Sequence, residues 1–574
     1  MSSPVWNYYD VSRNNEKFAV CRVCTKEISR GGASSKAFNT TNLIRHLRVS
    51  HRETYVEYEK LANAKAATAT LTQPSITDVL KKQELYTPDS KKAKAITAKI
   101  MEFVCIDCQP LSVTEDIGFK RLITHLEPQY HMPGRKYFTD VALPELYQNV
   151  YSHINTLLHE NVTAVSLTTD IWSSSVSLMS MLSLTAQWIT ENFEKRQVIL
   201  HSQEFPGSHT AEALVAKYND MLQAWNIQKE KVHVVLRDNA KNIAKAMRDC
   251  NLNSVPCMAH TLHLVVHEGV LSQRAVRDAV AIGRRIVGHF KHSPQAYSRL
   301  GDIQKQLGQS PKRLQQDIDT RWNSTFYMLT SLLEQKHALM AYTADYDIPN
   351  LNATQWKLIE NMVSILAPFE ELTKEISSIK SSVADVIPSI SALKRLLERI
   401  SDSDHGVKTS KQTLLEAVVK RFSDIHREPV YVVATILDPR YKDRYFDDQT
   451  KPEAHRLLSE VLDVRVRRGH SSGEKMVETV ATPKTLPSSS LQQMHEEILR
   501  DTSGSDVYRE SDSIAPEINL YLSEHVIPRS AEPLVFWESN KGRFPALAEA
   551  ARVYLSAPPT SVDSRKEPKE FSAA

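Results

Sequence analysis

The chain has little cysteine. Six residues in 574 cannot staple a protein of this size, so a disulfide framework is excluded and paired cysteines read as metal ligands in a reducing compartment. It also lacks any run approaching the roughly 20 apolar residues that a membrane span requires, and its start, MSSPVWNYYD, has neither the basic nor the apolar block of a secretory signal. These absences predict an intracellular protein with no membrane partner. Net charge is nearly absent too, at +3, so bulk composition announces no nucleic-acid partner and local charge must carry that case. What is present, 41% hydrophobic and 24% charged residues, is the balance of a folded chain rather than a disordered one. At 574 residues the chain exceeds the roughly 250 to 300 that one core serves, which predicts several domains.

The pattern along the chain divides it. VWNYYDV and KFAVCRVC alternate at a strand period, and Thr40 to Tyr55 then carries apolar residues at helical spacing. This predicts a hairpin followed by a helix over 1–60. Ala, Thr, Lys, Gln and Pro dominate the next stretch, predicting a linker over 61–96. A helical subdomain is expected over 97–160, broken at Pro110 and at the turn Met132 to Arg135. TAVSLTTDIWSS, LMSMLSLTAQWIT, KRQVILHSQEF and KVHVVLRDNAKNI give a βββαβ order over 161–250. Helical periods fill 251–512, interrupted by Ser- and Thr-rich or polar stretches from His470 to Pro487 and from Asp501 to Ser513 that are expected to be disordered. The last segment, 513–574, is again apolar and helical.

Zinc takes about four soft or borderline ligands in a tetrahedron. Cys21 and Cys24, two residues apart, and His46 and His51, four apart, supply them from a turn and a helix. The gap between the pairs is longer than the twelve or so residues of the common Cys2His2 finger. A unit this small has too little core to fold alone, so the metal supplies the missing stability. Lys36, Asn42, Arg45 and Arg48 lie on or just before the helix, where they suit phosphates and purine edges or serve as ordinary solvated charges. With Trp6, Tyr8 and Phe18 and the segment FNTTNLIRHLRVSH, this region resembles the BED-type zinc finger, a DNA-binding module of transposases and of genes derived from them. A second pair, Cys105 and Cys108, has no partner ligands nearby and is expected to be buried and structural.

Asp170 and Asp238 close two of the β runs. Two such carboxylates on neighbouring strands can hold divalent metal, whereas a lone Asp at a strand end is an ordinary turn or cap residue. TTDIWSS, LRDNAKN, CMAHTLHL, TRWNSTFYML and ILDPRYK, in that order, together with the terminal WESNKGRFPALAEAARVYLSAPPTS, resemble an hAT-family transposase from Ile96 onward. The resemblance implies a multidomain α+β protein: a ββα finger, a helical subdomain, a ribonuclease H-like α/β domain with a large all-helical insertion, and a C-terminal dimerisation segment that ends early. It implies Asp170 and Asp238 as two of three metal-holding acids, with Mg²⁺ required only for an active transposase. It also places Trp322 either on DNA near the cut or in the core. The family's third acid sits in a Ser-Glu-Arg-x-Phe-Ser motif, but this chain reads SVDSRKEPKEFSAA. Pro568 stands at the Glu position, with Glu567 and Glu570 out of register.

The expectation is therefore a zinc-dependent, DNA-binding nuclear protein without transposase catalysis, a transcription regulator working on double-stranded DNA as a homodimer. Active transposition and a scaffold or SUMO ligase-like role are the alternatives. Lys81, Lys82, Lys91, Lys92 and Lys94 form either an import signal or a solvated charge run. Trp537, Phe544, Leu547 and Leu555 are candidates to bury at a partner or inside the chain's own core.

Overall fold

Alternation lasts only a few residues near the start, and the strands it yields are short. In the computed structural model β1 (Tyr9–Val11), β2 (Phe18–Cys21) and β3 (Glu27–Ser29) form an antiparallel sheet in that order. The aromatic run before β1 is a 3-10 turn, Pro4–Tyr8, rather than a strand. Pro4 fixes the first turn, and the Ser3 hydroxyl accepts from the Val5 N–H. The described residues are 3–32, 37–72, 85–160, 162–173, 179–318, 321–399, 408–466, 490–501 and 515–561. They belong to two compact units, Met1–Gln148 and Asn149–Ala574.

In the first unit α1 (Thr41–Ser50) buries Leu43 and Leu47, one turn apart, against Val5, Tyr9 and Ala19. It stops at His51, whose backbone leaves the helical region while its N–H still bonds the Leu47 carbonyl. α2 (Arg52–Thr72) starts at once and runs well into the stretch expected to be a linker. Its sequence is rich in Ala, which has the highest intrinsic helix propensity and lets a stretch of linker-like composition form a helix. α3 (Lys91–Ile106) opens inside the same stretch, capped by the Ser90 hydroxyl, and buries Ala93, Thr97, Ile100, Met101 and Val104. α4 (Ile117–Leu126) follows the interruption around Pro110, and α5 (Leu143–His159) continues without a break from a helical turn at Arg135–Tyr137 and a π segment at Phe138–Ala142 that begin at the end of the Met132 to Arg135 turn. Tyr130 and Phe138, from the connection between them, complete the core around α3.

The second unit is built on β4 (Val165–Ser173), β5 (Ser180–Ile189) and β6 (Lys195–Glu204), then α6 (Ala211–Ala224), β7 (Val232–Arg237), α7 (Lys241–Asp249) and β8 (Ser254–Pro256). The spatial order is β6-β5-β4-β7-β8. β4 pairs antiparallel with β5 and parallel with β7. Alternation then assigns the faces: Val165, Leu167 and Val235 pack with α6 and α7, while Val234 and Leu236 join the helical block. β8 lies within the stretch expected to be wholly helical. Three residues ending in proline carry no period to read, and only pairing with β7 makes them a strand.

Beyond β8 come α8 (Met258–Val266), α9 (Arg274–His292), α10 (Trp322–Glu334) and a series of further helices to α11 (Pro429–Leu437), all in one large core. The C-terminal α12 (Ala515–Ser523), α13 (Pro533–Asn540) and α14 (Pro545–Tyr554) seat on α11. There the Trp537 indole N–H donates to the Leu437 carbonyl at 2.8 Å and the Tyr521 hydroxyl to Ile436 at 2.9 Å. After α14 the chain returns to the sheet: Ser556 bonds Ser166 at 2.8 Å, and the Met258 N–H donates to Pro559. The stretch from His470 to Pro487, and all but Asp501 of the later polar stretch, lie outside the described residues. Among the described residues no helix is long and apolar enough to cross a membrane.

Candidate functional site

The metal centre assembles from two local structures. Cys21 ends β2, and the turn after it is closed by the Thr25 N–H on the Cys21 carbonyl at 2.8 Å, with Thr25 in the left-handed region at φ 56°. This swings Cys24 back beside Cys21. His46 stands on α1 and His51 at its cap, so the five-residue step crosses the helix end and turns both rings inward, their centroids 5.1 Å apart. One ligand atom from each of Cys21, Cys24, His46 and His51 lies within 4.8 Å of the others.

These side chains fit zinc on their own evidence. The His51 Nε2 is buried with no hydrogen-bond partner, a cost that a metal bond removes. The Cys24 Sγ lies 3.4 Å from the His46 Nε2, and the other ring nitrogen of His46 faces the Ser50 hydroxyl at 3.4 Å, the outer contact that orients a metal-binding imidazole. Burial, then the nearby His51 and Lys26, lower the His46 pKa and keep it the neutral ligand zinc needs. The set is a zinc-binding Cys2His2 cluster.

Two residues that sequence reasoning passed over hold the unit in shape. Tyr9, paired with Cys21 across β1 and β2, donates from its buried hydroxyl to the Leu43 carbonyl at 3.0 Å and sets its ring edge-on to His46. It ties sheet to helix beside the metal. Arg30 lies between Trp6 and Phe38, its guanidinium carbon 5.0 and 4.8 Å from the two ring centres. That stack folds down the extra residues between the cysteine and histidine pairs. A Tyr beside a Cys-bearing strand was the only available signal for the first; the second has none within the local pattern.

With Leu43 and Leu47 inward, Asn42, Arg45 and Arg48 stand exposed on the opposite side of α1. Lys36 lies outside the described residues. Trp322 is 3% exposed, its ring against Phe326 and Phe369 in the helical core. Asp170 lies within β4 and Asp238 just past β7. Each is two residues beyond the paired Thr168 and Leu236, on the same face of neighbouring strands. The Asp238 carboxylate caps its own turn by accepting from the Ala240 N–H at 3.0 Å. Glu567, Pro568 and Glu570 lie outside the described residues.

Two further expectations are corrected, and a third was open between two readings. Cys105 and Cys108 are exposed, because the buried stripe of α3 runs through Met101 and Val104 and leaves Cys105 off it. Lys91, Lys92 and Lys94 are not in a linker but in the first turn of α3, where Lys92 donates to Glu127 at 2.8 Å and Lys94 pairs with Asp89. Lys81 and Lys82 lie outside the described residues. Trp537, Phe544, Leu547 and Leu555 are 0 to 3% exposed within their own chain, so they pack its core rather than wait for a partner.

Comparison with known proteins agrees with this geometry. The BED zinc finger model matches residues 3–52, the ZBED1 RNase-like domain 168–258, the ZBED1 RNase-like helical domain 255–365, and the hAT family C-terminal dimerisation region 517–568. Among curated relatives, zinc finger BED domain-containing protein 4 of Homo sapiens is 28% identical over 98% of this chain and 49% of its own length. Zinc finger BED domain-containing protein 6 of Mus musculus is 24% identical over 98% of this chain and 66% of its own. The RICESLEEPER 1 protein of Oryza sativa subsp. japonica is 23% identical over 98% and 83%. The chain thus spans about half to two thirds of the length of the first two. It is built of a BED zinc finger, ZBED-type RNase-like domains and an hAT dimerisation region, and its homologues are ZBED proteins and hAT transposases.

Proposed function

We propose that the chain is a nuclear, zinc-dependent transcription regulator that binds double-stranded DNA as a homodimer through its BED finger. The observation that carries this is the pairing of a four-ligand metal cluster with an exposed Asn42, Arg45 and Arg48 face on the helix that holds two of the ligands. Zinc orders the helix, the helix carries the side chains, and a cationic helix face of this width fits a major groove. Lys36, just before the helix in the sequence, is included in the proposed DNA contact for its charge alone. The mixed sheet is read as ribonuclease H-like, supported by its β6-β5-β4-β7-β8 order, and serves as scaffold rather than as a nuclease. The disrupted SVDSRKEPKEFSAA segment supports that. The test is selection of bound duplexes from random DNA by the full chain. Sequence enrichment is expected with zinc, and none after chelation or in Cys21→Ser. Equal enrichment in all three overturns the reading.

One observation favours a second reading, an active transposase. Asp170 and Asp238 share a face on neighbouring strands, the placement a pair of Mg²⁺ ligands requires. Mg²⁺-dependent nicking of a labelled duplex, abolished by Asp170→Asn, would establish it. No nicking is the expected result.

A further inference from the structure

α9 carries five cations and one acid in its 19 residues: Arg274, Arg277, Arg284, Arg285 and Lys291 against Asp278. Its apolar side is continuous, with Val276, Ala279, Val280, Gly283, Ile286, Val287 and Phe290 all buried. Every charge is therefore forced onto the other side. Two of the five arginine and lysine side chains have acidic partners there: Arg284 with the buried Asp317 at 2.8 Å, and Arg274 with Asp278 at 3.9 Å. Arg277, Arg285 and Lys291 are exposed and make no ion pair among the described residues. An acid three or four residues away on the helix surface would pair with each of them. Nothing of that kind offsets these three.

Between them the surface is low. Ala281 is exposed, and a Cβ at Gly288 would meet nothing within 4 Å. Guanidinium and ammonium heads therefore stand clear of a shallow track. At about 1.5 Å rise per residue, Arg277 and Lys291 lie about 21 Å apart along the axis, with Arg285 between. Laid along the duplex axis, that length spans about six base-pair steps at roughly 3.4 Å each, enough for three separate phosphate contacts. Arginine also forks onto phosphate oxygens in pairs, which a surface merely needing solubility does not require.

We infer that this face of α9 is a second DNA-binding surface, gripping the duplex backbone without reading sequence and acting independently of the finger. Arg277, Arg285 and Lys291 each neutralise a phosphate, and the track of Ala281 and Gly288 lets the strand approach the helix.

The test uses the full chain carrying Cys21→Ser, which removes the finger's contribution, and a 30-base-pair duplex of arbitrary sequence followed by fluorescence anisotropy across a salt series. The parent should bind with affinity falling steeply as salt rises. Arg277→Gln, Arg285→Gln and Lys291→Gln together should lower the slope of log affinity against log salt by about 2.7, at about 0.9 per phosphate. The control triple is Lys357→Gln, Lys374→Gln and Lys420→Gln, exposed lysines already paired with Glu360, Glu370 and Glu268. It removes the same net charge and should leave the slope unchanged. Equal losses in both triples, an unchanged slope in the first, or tighter binding to an RNA duplex of the same sequence would overturn the inference. Unchanged circular dichroism melting separates lost contact from lost fold.

Discussion

Gly32 adopts φ +86°, and a Cβ placed there would sit 2.3 Å from the Ala37 carbonyl oxygen. Only glycine closes the turn between β3 and α1 in this way. Gly32→Ala should therefore strain the finger by roughly 1 to 3 kcal/mol. Because folding and metal binding are one equilibrium in such a unit, zinc affinity measured by chelator competition should fall about tenfold for each 1.4 kcal/mol. Unchanged affinity would show that the turn relaxes at no cost. The cysteines give a second residue-level prediction. Under native conditions a thiol reagent followed by mass spectrometry should label Cys105 and Cys108 first, Cys21 and Cys24 only after zinc chelation, and the buried Cys250 and Cys257 only on unfolding. The four zinc ligands were legible because both spacings are set within one turn and one helix end. Tyr9 and Arg30 were not, since what each holds lies more than twenty residues away or across a loop. Cys105 was misplaced because a single residue's rotation on α3 decides between core and solvent.

At the scale of elements, ILDPRYK shows how a motif can be visible while its work is not. Its Asp438 is fully buried; burial pushes the carboxyl pKa up while Arg440, bonded to it at 2.6 Å, pulls it back. Arg440 also holds the buried Asp385 at 2.8 Å, and the Lys442 ammonium, its pKa lowered by burial to about 8, donates to the carbonyls of Tyr521 and Glu524. The motif thus fastens α11 to the C-terminal helices. Arg440→Met would leave two buried carboxylates without their cation, a loss of about 3 to 5 kcal/mol. Such carboxylates would then take up protons in the folded state, so the deficit should be smaller at pH 5 than at pH 7 by urea unfolding. A deficit independent of pH would show that packing, not charge, is what was lost. Periodicity gave the helices of this region but not their seating, so it left Trp537 and Phe544 open between a partner and the chain's own core, and their own chain covers them. The apolar residues that α12 and α13 leave outside are Leu520 and Val535, 51% and 57% exposed. Replacing both with Glu should convert the proposed homodimer to a monomer in light scattering without lowering the melting temperature. A dimer that persists would place the contact elsewhere.

Across the second unit as a whole, burial keeps several imidazoles uncharged. His201, His263, His426 and His495 all have pKa values below the ordinary one, with desolvation the first cause in each, and in His263 the neighbouring His260 and His267 add to it. His495 is the extreme: 2% exposed, with its Nδ1 2.8 Å from the Tyr445 hydroxyl. In the unfolded chain these rings protonate near pH 6.5. Below that the unfolded state binds more protons than the folded one, so stability is full above about pH 6.5 and falls as pH drops, by up to about 1.4 kcal/mol per unit for each ring. The partly buried Glu375, Glu428 and Glu517 act with the opposite sign, since desolvation raises their pKa and their contribution fades as pH rises. The two effects overlap, so the imidazole part must be read by difference. His495→Gln keeps an acceptor for Tyr445 but cannot protonate. Between pH 7.0 and 5.5 it should lose about 1 to 2 kcal/mol less unfolding free energy than the parent chain. Identical losses in the two proteins would mean that His495 is already charged in the folded state, and that the core around it tolerates the charge.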